Sequence, residues 1–211
     1  MKKYFLCSLA AISAALILLA LMIWAGVSSD TVVIGKLPDP AATAAEFFEA
    51  LAEGDYTRAM TYVDNYDSLG FETESTELVE TFKKALTESY TAEPVEEGSA
   101  VHGLDAVQML RVTYLDSRAL FADAGERASG AAMAYKQITG SIDSDEQAMA
   151  FVSDALTECL AQPESYYKTE DIFVWLIFDG SEWKIVIDDE LMRIIYGNFG
   201  SAISEGGIVN E

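Results

Sequence analysis

Histidine, cysteine, proline and positive charge are all scarce in these 211 residues. The single histidine, His102, and the two cysteines, Cys7 and Cys159, leave no material for a zinc site or a disulfide framework. Thirteen Lys+Arg stand against 35 Asp+Glu, for a net charge of −22. Nucleic acid and anionic lipid headgroups are therefore excluded as partners, because no basic stripe exists to displace phosphate counterions. No P-loop and no G-x-G-x-x-G is found, so no cofactor is expected. Yet 51% of the residues are hydrophobic, which separates this chain from an acidic disordered tail.

Charge is also absent locally. Residues 4 to 29 carry none, and from Leu9 to Val27 only Ser13 is polar. As a helix those nineteen residues rise about 28 Å, close to the ~30 Å hydrocarbon core of a bilayer. Trp24 suits the outer interface, and Lys2 and Lys3 ahead of the run place the N-terminus in the cytoplasm. A cleaved signal peptide has an apolar region of roughly 7–15 residues. This one is longer, and Gly26-Val27-Ser28 is only a passable cleavage site. Residues 1–30 are accordingly read as a signal anchor, with the C-terminal domain extracytoplasmic on a single-pass cell-membrane tether. Cys7 precedes the apolar stretch, which argues against a lipoprotein. Cys159 shares a helical stripe with Ala148, Val152 and Ala155 and reads as core filling.

Residues 31–38 read as a linker. Asp39-Pro40 then opens a helix with Ala44, Phe47, Phe48 and Leu51 on one stripe, ended by Gly54. Asp55 caps a second helix, and a third carries Leu78, Phe82, Ala85 and Leu86. Pro94 is read as a break, followed by a short strand at Ser99–His102 and a clearer one at Val107–Asp116. Residues 118–138 return to helix, with Phe121, Ala124, Ala128, Ala131, Tyr135 and Ile138 in a stripe. Ser144 and Gln147 form a capping box for another, to about Leu160. Tyr166–Phe178, Asp179-Gly180 and Glu182–Asp188 make a hairpin. Its first strand has Ile172, Val174, Leu176 and Phe178 on one side and Phe173, Trp175 and Ile177 on the other. With both faces apolar, it is expected to be covered on both sides or to line a cavity. A short helix, Asp189–Tyr196, and a tail, 200–211, complete an α+β chain.

Glu46-Phe47-Phe48-Glu49-Ala50-Leu51, running into Gly54-Asp55-Tyr56 and Ala59, resembles the opening of nuclear transport factor 2-like domains. Phe173–Trp183 with its Asp179-Gly180 turn, and the helix ending in Gly197-Asn198, resemble the ending of exported bacterial members. Val112-Thr113-Tyr114-Leu115-Asp116 and the Leu120-Phe121 helix are similar to membrane-anchored or lipoprotein-type proteins of Gram-positive bacteria. The resemblance spans residues 39–199. It implies helices packed on a curved, mainly antiparallel sheet, a cone whose interior can be a pocket. Helices at about 118–161 are an insertion that could fill its mouth. Members include isomerases, dehydratases, carriers and oligomerisation modules, so the fold selects no activity.

Candidate chemistry is sparse. Tyr114 and Asp116 share a strand face. In a cone interior Tyr114 could donate to an oxyanion and Asp116, its pKa raised by burial, could abstract a proton, as in isomerase-type members. Tyr114, Trp175 and Phe173 are the candidate ligand-binding residues, and Trp183, Tyr166 and Tyr167 could extend an aromatic platform. His102 has no nucleophile signature near it. Asp143, Asp145 and Glu146 fail the calcium-loop pattern, with Ala148 at position 6 and Asp154 at position 12. The expectation is a non-enzymatic, membrane-tethered domain. It would bind a small apolar ligand, an envelope component or a protein through the cone or the sheet's exposed face. A homodimer and a Tyr114/Asp116 enzyme are the alternatives.

Overall fold

The computed structural model describes residues 37–69 and 76–200. These fall almost entirely in the second of the two compact units into which the chain divides, Pro38–Glu211. The anchor segment, Cys7 and the tail beyond Gly200 lie outside the described residues. Among those residues no helix is long and apolar enough to cross a membrane.

Helix α1 spans Pro40–Ala52, with the Asp39 carboxylate accepting from the Ala41 N–H and Pro40 at the first position. It buries Ala44, Phe47, Phe48 and Leu51. Asp55 caps α2 (Tyr56–Met60), and Thr76 caps α3 (Glu77–Ser89). The sheet follows as β1 (Thr91–His102) and β2 (Asp105–Leu115). Helices α4 (Ser117–Thr139) and α5 (Asp145–Leu160) then stand between β2 and β3 (Tyr167–Phe178). After β4 (Trp183–Val186) comes α6 (Asp189–Ile195). All strand pairings are antiparallel, in the order β1-β2-β3-β4, which confirms the α+β class.

Pro94 does not break the pattern, contrary to the sequence reading. It lies inside β1, opposite Leu110, on an edge strand with one neighbour, where a missing N–H is tolerated. The strand is broken instead by a bulge between Val95 and Ala100. Ser99 Oγ closes that bulge, donating to the Val95 carbonyl at 2.7 Å and accepting from the Met109 N–H at 3.0 Å. Gly98, at φ 92°, supplies the left-handed step.

A second correction concerns α4. Its stripe is buried only as far as Ala128, and Ile138 is 86% exposed. Near its far end α4 meets α5, with Tyr135 and Phe151 rings 5.6 Å apart. An apolar side chain at helical spacing is buried only if something stands opposite, and at Ile138 none of the described residues does.

The core lies between the helices and one face of the sheet. Ala106, Leu110, Val112 and Tyr114 of β2 and Ile172, Val174 and Leu176 of β3 are buried there. Trp183 is buried too, donating from Nε1 to the Pro38 carbonyl at 2.7 Å. The β3–β4 turn forms as expected, with the Asp179 carboxylate accepting from the Ser181 and Glu182 N–H groups.

Candidate interaction surface

Strand alternation sends every second residue of this sheet to the face away from the core. The register sets them in rows. Val95 pairs with Met109, and Met109 with Phe173. Ala100, Val107, Trp175 and Val186 form the next row across all four strands. Phe173 is 46% and Trp175 54% exposed, so this centre is an apolar patch open to solvent. The expectation that β3 is covered on both sides, or lines a cavity, is therefore corrected. Among the described residues the helices cover one face only.

Polar rows bound the patch. On one side Arg111 makes a bidentate pair with Asp171, at 2.8 and 2.9 Å, in line with Glu93. The Arg111 guanidinium holds the Asp171 carboxyl below its ordinary value. Beyond it, Thr113 and Thr169 hydroxyls lie 2.7 Å apart. On the other side stand His102, Asp105, Ile177 and Lys184. Both sheet edges are guarded. Edge strand β1 carries Pro94, the bulge, and Glu93, Glu96 and Glu97. Along β4, residues 62–64 add a parallel bridge, with the Ile185 N–H donating to Tyr62 at 2.7 Å. Pro94, the bulge and the three glutamates disfavour strand addition along β1, so the open face is the better docking surface.

Tyr114 is on the opposite, covered face. Its hydroxyl donates to Glu170 Oε1 at 3.0 Å and accepts from Arg193 at 2.5 Å, with the guanidinium 5.6 Å from the ring centroid. Arg193 also pairs with Glu170 Oε1, and Lys168 reaches Oε2 at 2.8 Å. Burial alone would raise the Glu170 pKa. Hydrogen bonds from Lys168, Arg193 and Tyr114 outweigh it and hold the carboxyl down at about 2. Burial is also the main reason that the Tyr114 phenol is raised. The cluster pins α6, through Arg193, to β2 and β3.

Asp116 caps α4, accepting from the Ala119 N–H at 3.4 Å and from Asn198 Nδ2 at 3.3 Å. The structure thus brings Phe173 and Trp175 together and sets Tyr114 behind the sheet from them. Trp183 is in the core rather than beside Trp175. Tyr166 donates to Asp123, which also pairs with Arg127 at 3.0 Å, and the buried Cys159 thiol lies 3.9 Å from the same carboxylate. Tyr167 is half-buried at the start of β3, and His102 is exposed beside the β1–β2 turn. Asp143, Asp145 and Glu146 are exposed, and no group that could hold a metal occurs among the described residues.

Sequence reasoning missed Val107, Met109, Val95 and Val186, which extend the patch, and Glu170, Lys168 and Arg193. The patch was available in principle. Once Gly103-Leu104 is taken as the β1–β2 turn and Val107–Asp116 paired with β3, alternation puts Met109 beside Phe173 and Val107 beside Trp175. The Glu170 cluster was not available, because Arg193 belongs to another element.

No protein-family model matches the chain, and no curated protein matches it. One solved structure aligns with it, a proposed lipoprotein (ycdA) of Bacillus subtilis, at 15% identity and a TM-score of 0.37. The alignment covers 74% of this chain and 44% of that one, so the chain spans less than half the length of the structure it matches. A likeness at that TM-score carries no functional argument.

Proposed function

We propose that the domain is a membrane-tethered extracytoplasmic interaction module that docks a protein partner on the open sheet face. One observation carries this reading: Phe173 and Trp175, 46% and 54% exposed, sit side by side in apolar rows whose neighbours are Met109, Val107 and Val186. Burying one such aromatic side chain is worth roughly 1.5–3 kcal/mol, and a cluster of them with a polar rim has the make-up of an interface centre. Charge decides which partner fits. Residues 1–30 contribute only Lys2, Lys3 and Asp30, so residues 31–211 carry −23. Two copies of such a domain repel, whereas a partner with an apolar groove and a cationic rim is attracted. The tether is the Leu9–Val27 run, and the cone-type fold of the nuclear transport factor 2-like proteins is supported by the antiparallel sheet with helices on one face. The alternative, an isomerase- or dehydratase-type enzyme using Tyr114 and Asp116, gains no support from the geometry. The Tyr114 hydroxyl is held by Glu170 and Arg193, and Asp116 is a helix cap.

The test is site-specific photo-crosslinking of the full chain in its native membrane. A photoreactive residue at position 175 should give one discrete adduct that weakens as salt is raised and disappears with Phe173→Glu. The same residue at exposed position 136 should give none. Identical adducts from both positions, or an adduct of twice the chain's mass alone, would overturn the reading. A mature N-terminus near Ser29 would remove the tether.

A further inference from the structure

A half-open apolar pocket of about 180 Å³ lies between α3, α4 and α5, away from the sheet face. Its lining includes Leu78, Phe82 and Lys83 of α3, Phe121 of α4, Leu156 of α5, and Phe199. Three rings meet at one side: Phe82, Phe121 and Phe199 have centroids 5.5–5.8 Å apart. A dry, apolar cavity of about 150 Å³ is enough to take up benzene. Water gains few hydrogen bonds here, because among the described lining residues only Lys83 carries a polar side chain. The Lys83 ammonium is itself 3.3 Å from Glu80, so its charge is matched within the helix. An anionic headgroup would have to displace that carboxylate and approach a chain of net charge −22. A cation would find no acceptor among the described lining side chains. The chemistry that remains is uncharged hydrocarbon. Along α5 the exposed Val152 and Met149 continue the helix face of Leu156 outward from the cavity, giving a longer aliphatic chain an apolar path that a ring would not use.

We propose that this cavity is a binding site for an uncharged hydrocarbon group of roughly six to ten carbons, either a ring or the end of an aliphatic chain. The test uses the full chain in phosphatidylcholine vesicles, with two diazirine probes, an aryl-trifluoromethyl diazirine and a diazirine-bearing decanol. Labelled peptides are mapped by mass spectrometry. Adducts should saturate with probe and fall on the segments containing Leu78–Lys83, Phe121 and Leu156–Leu160. Toluene or decanol in excess should compete. Labelling should drop at least tenfold in Leu156→Trp, which fills the cavity, and in the milder Leu156→Phe, which guards against a failure to fold. Label reaching Met149 with the decanol probe alone identifies the aliphatic source, and equal patterns identify the ring. Three results would overturn the proposal. They are label that never saturates and falls equally on Met133 and Ile138, decanoate competing as well as decanol, and labelling that appears only when the chain is ended after Gly200, which would make residues 201–211 the occupant.

Discussion

Replacing Glu170 with Gln keeps the shape of the side chain and removes the charge that Lys168, Arg193 and Tyr114 converge on. The carboxyl sits at about 2 against an ordinary 4.5. At about 1.4 kcal/mol per pH unit, that depression is worth roughly 3 kcal/mol at full value. Glu170 stays 22% exposed and Lys168 about half exposed, so solvent screening reduces the figure to about 1–2 kcal/mol. A depressed carboxyl stabilises the fold above its unfolded value and loses that contribution as pH falls through its folded value. The gap between the natural protein and Glu170→Gln should therefore be full at pH 5 and above. It should shrink steadily from pH 4.5 toward pH 2, where a protonated Glu and a Gln are nearly equivalent. Urea unfolding of the full chain in nonionic detergent, followed by circular dichroism at pH 7, 5, 4 and 3, measures it. At pH 7 the thermal midpoint should fall by about 2–8 °C, at about 2–4 °C per kcal/mol for a domain of this size. A gap that stays constant from pH 7 to pH 3 would refute the claim that charge, rather than packing, ties α6 to the sheet.

Gly197→Ala should cost at least about 3 kcal/mol, because a Cβ there would lie 2.6 Å from the Leu115 carbonyl at a φ of 56°. Gly98→Ala should cost about 1–2 kcal/mol, since its closest contact is the movable Met109 sulfur; calorimetry should rank the two in that order. Alkylation of buried Cys159, followed on its own peptide, should track global unfolding, and fast modification of the folded chain would contradict its place against α4. Phe173→Ala with Trp175→Ala should change stability by less than about 1 kcal/mol, as both are open to solvent; a larger loss would mean that the face is covered.

The helix starts were legible because caps are local chemistry. Asp39-Pro40, Asp55 and Ser144 all cap where their sequences say, and each needs only a carboxylate or hydroxyl two or three residues from an unpaired N–H. The Asp179-Gly180 hairpin was legible for the same reason. Pro94 misled because its meaning depends on whether the strand is an edge, which neighbours decide. Residue type alone marks Phe173 and Trp175 as candidate ligand-binding residues. Their separation from Tyr114 came only with the register, which places Tyr114 opposite Lys168 and the two aromatics opposite Met109 and Val107. The Glu170 cluster joins residues 23 and 56 positions apart in the chain.

By itself, then, the sequence determines the anionic charge that selects against polyanions, the helix and turn boundaries, and the alternation that gives each strand two faces. Those properties depend on residue type or on neighbours within about four positions. Only the tertiary structure decides which sheet face the helices cover and which is left open, which carboxylate holds Arg193, and where three phenylalanines meet at one side of an apolar pocket. Burial is a property of what stands opposite. In this chain the residues that stand opposite arrive from other elements.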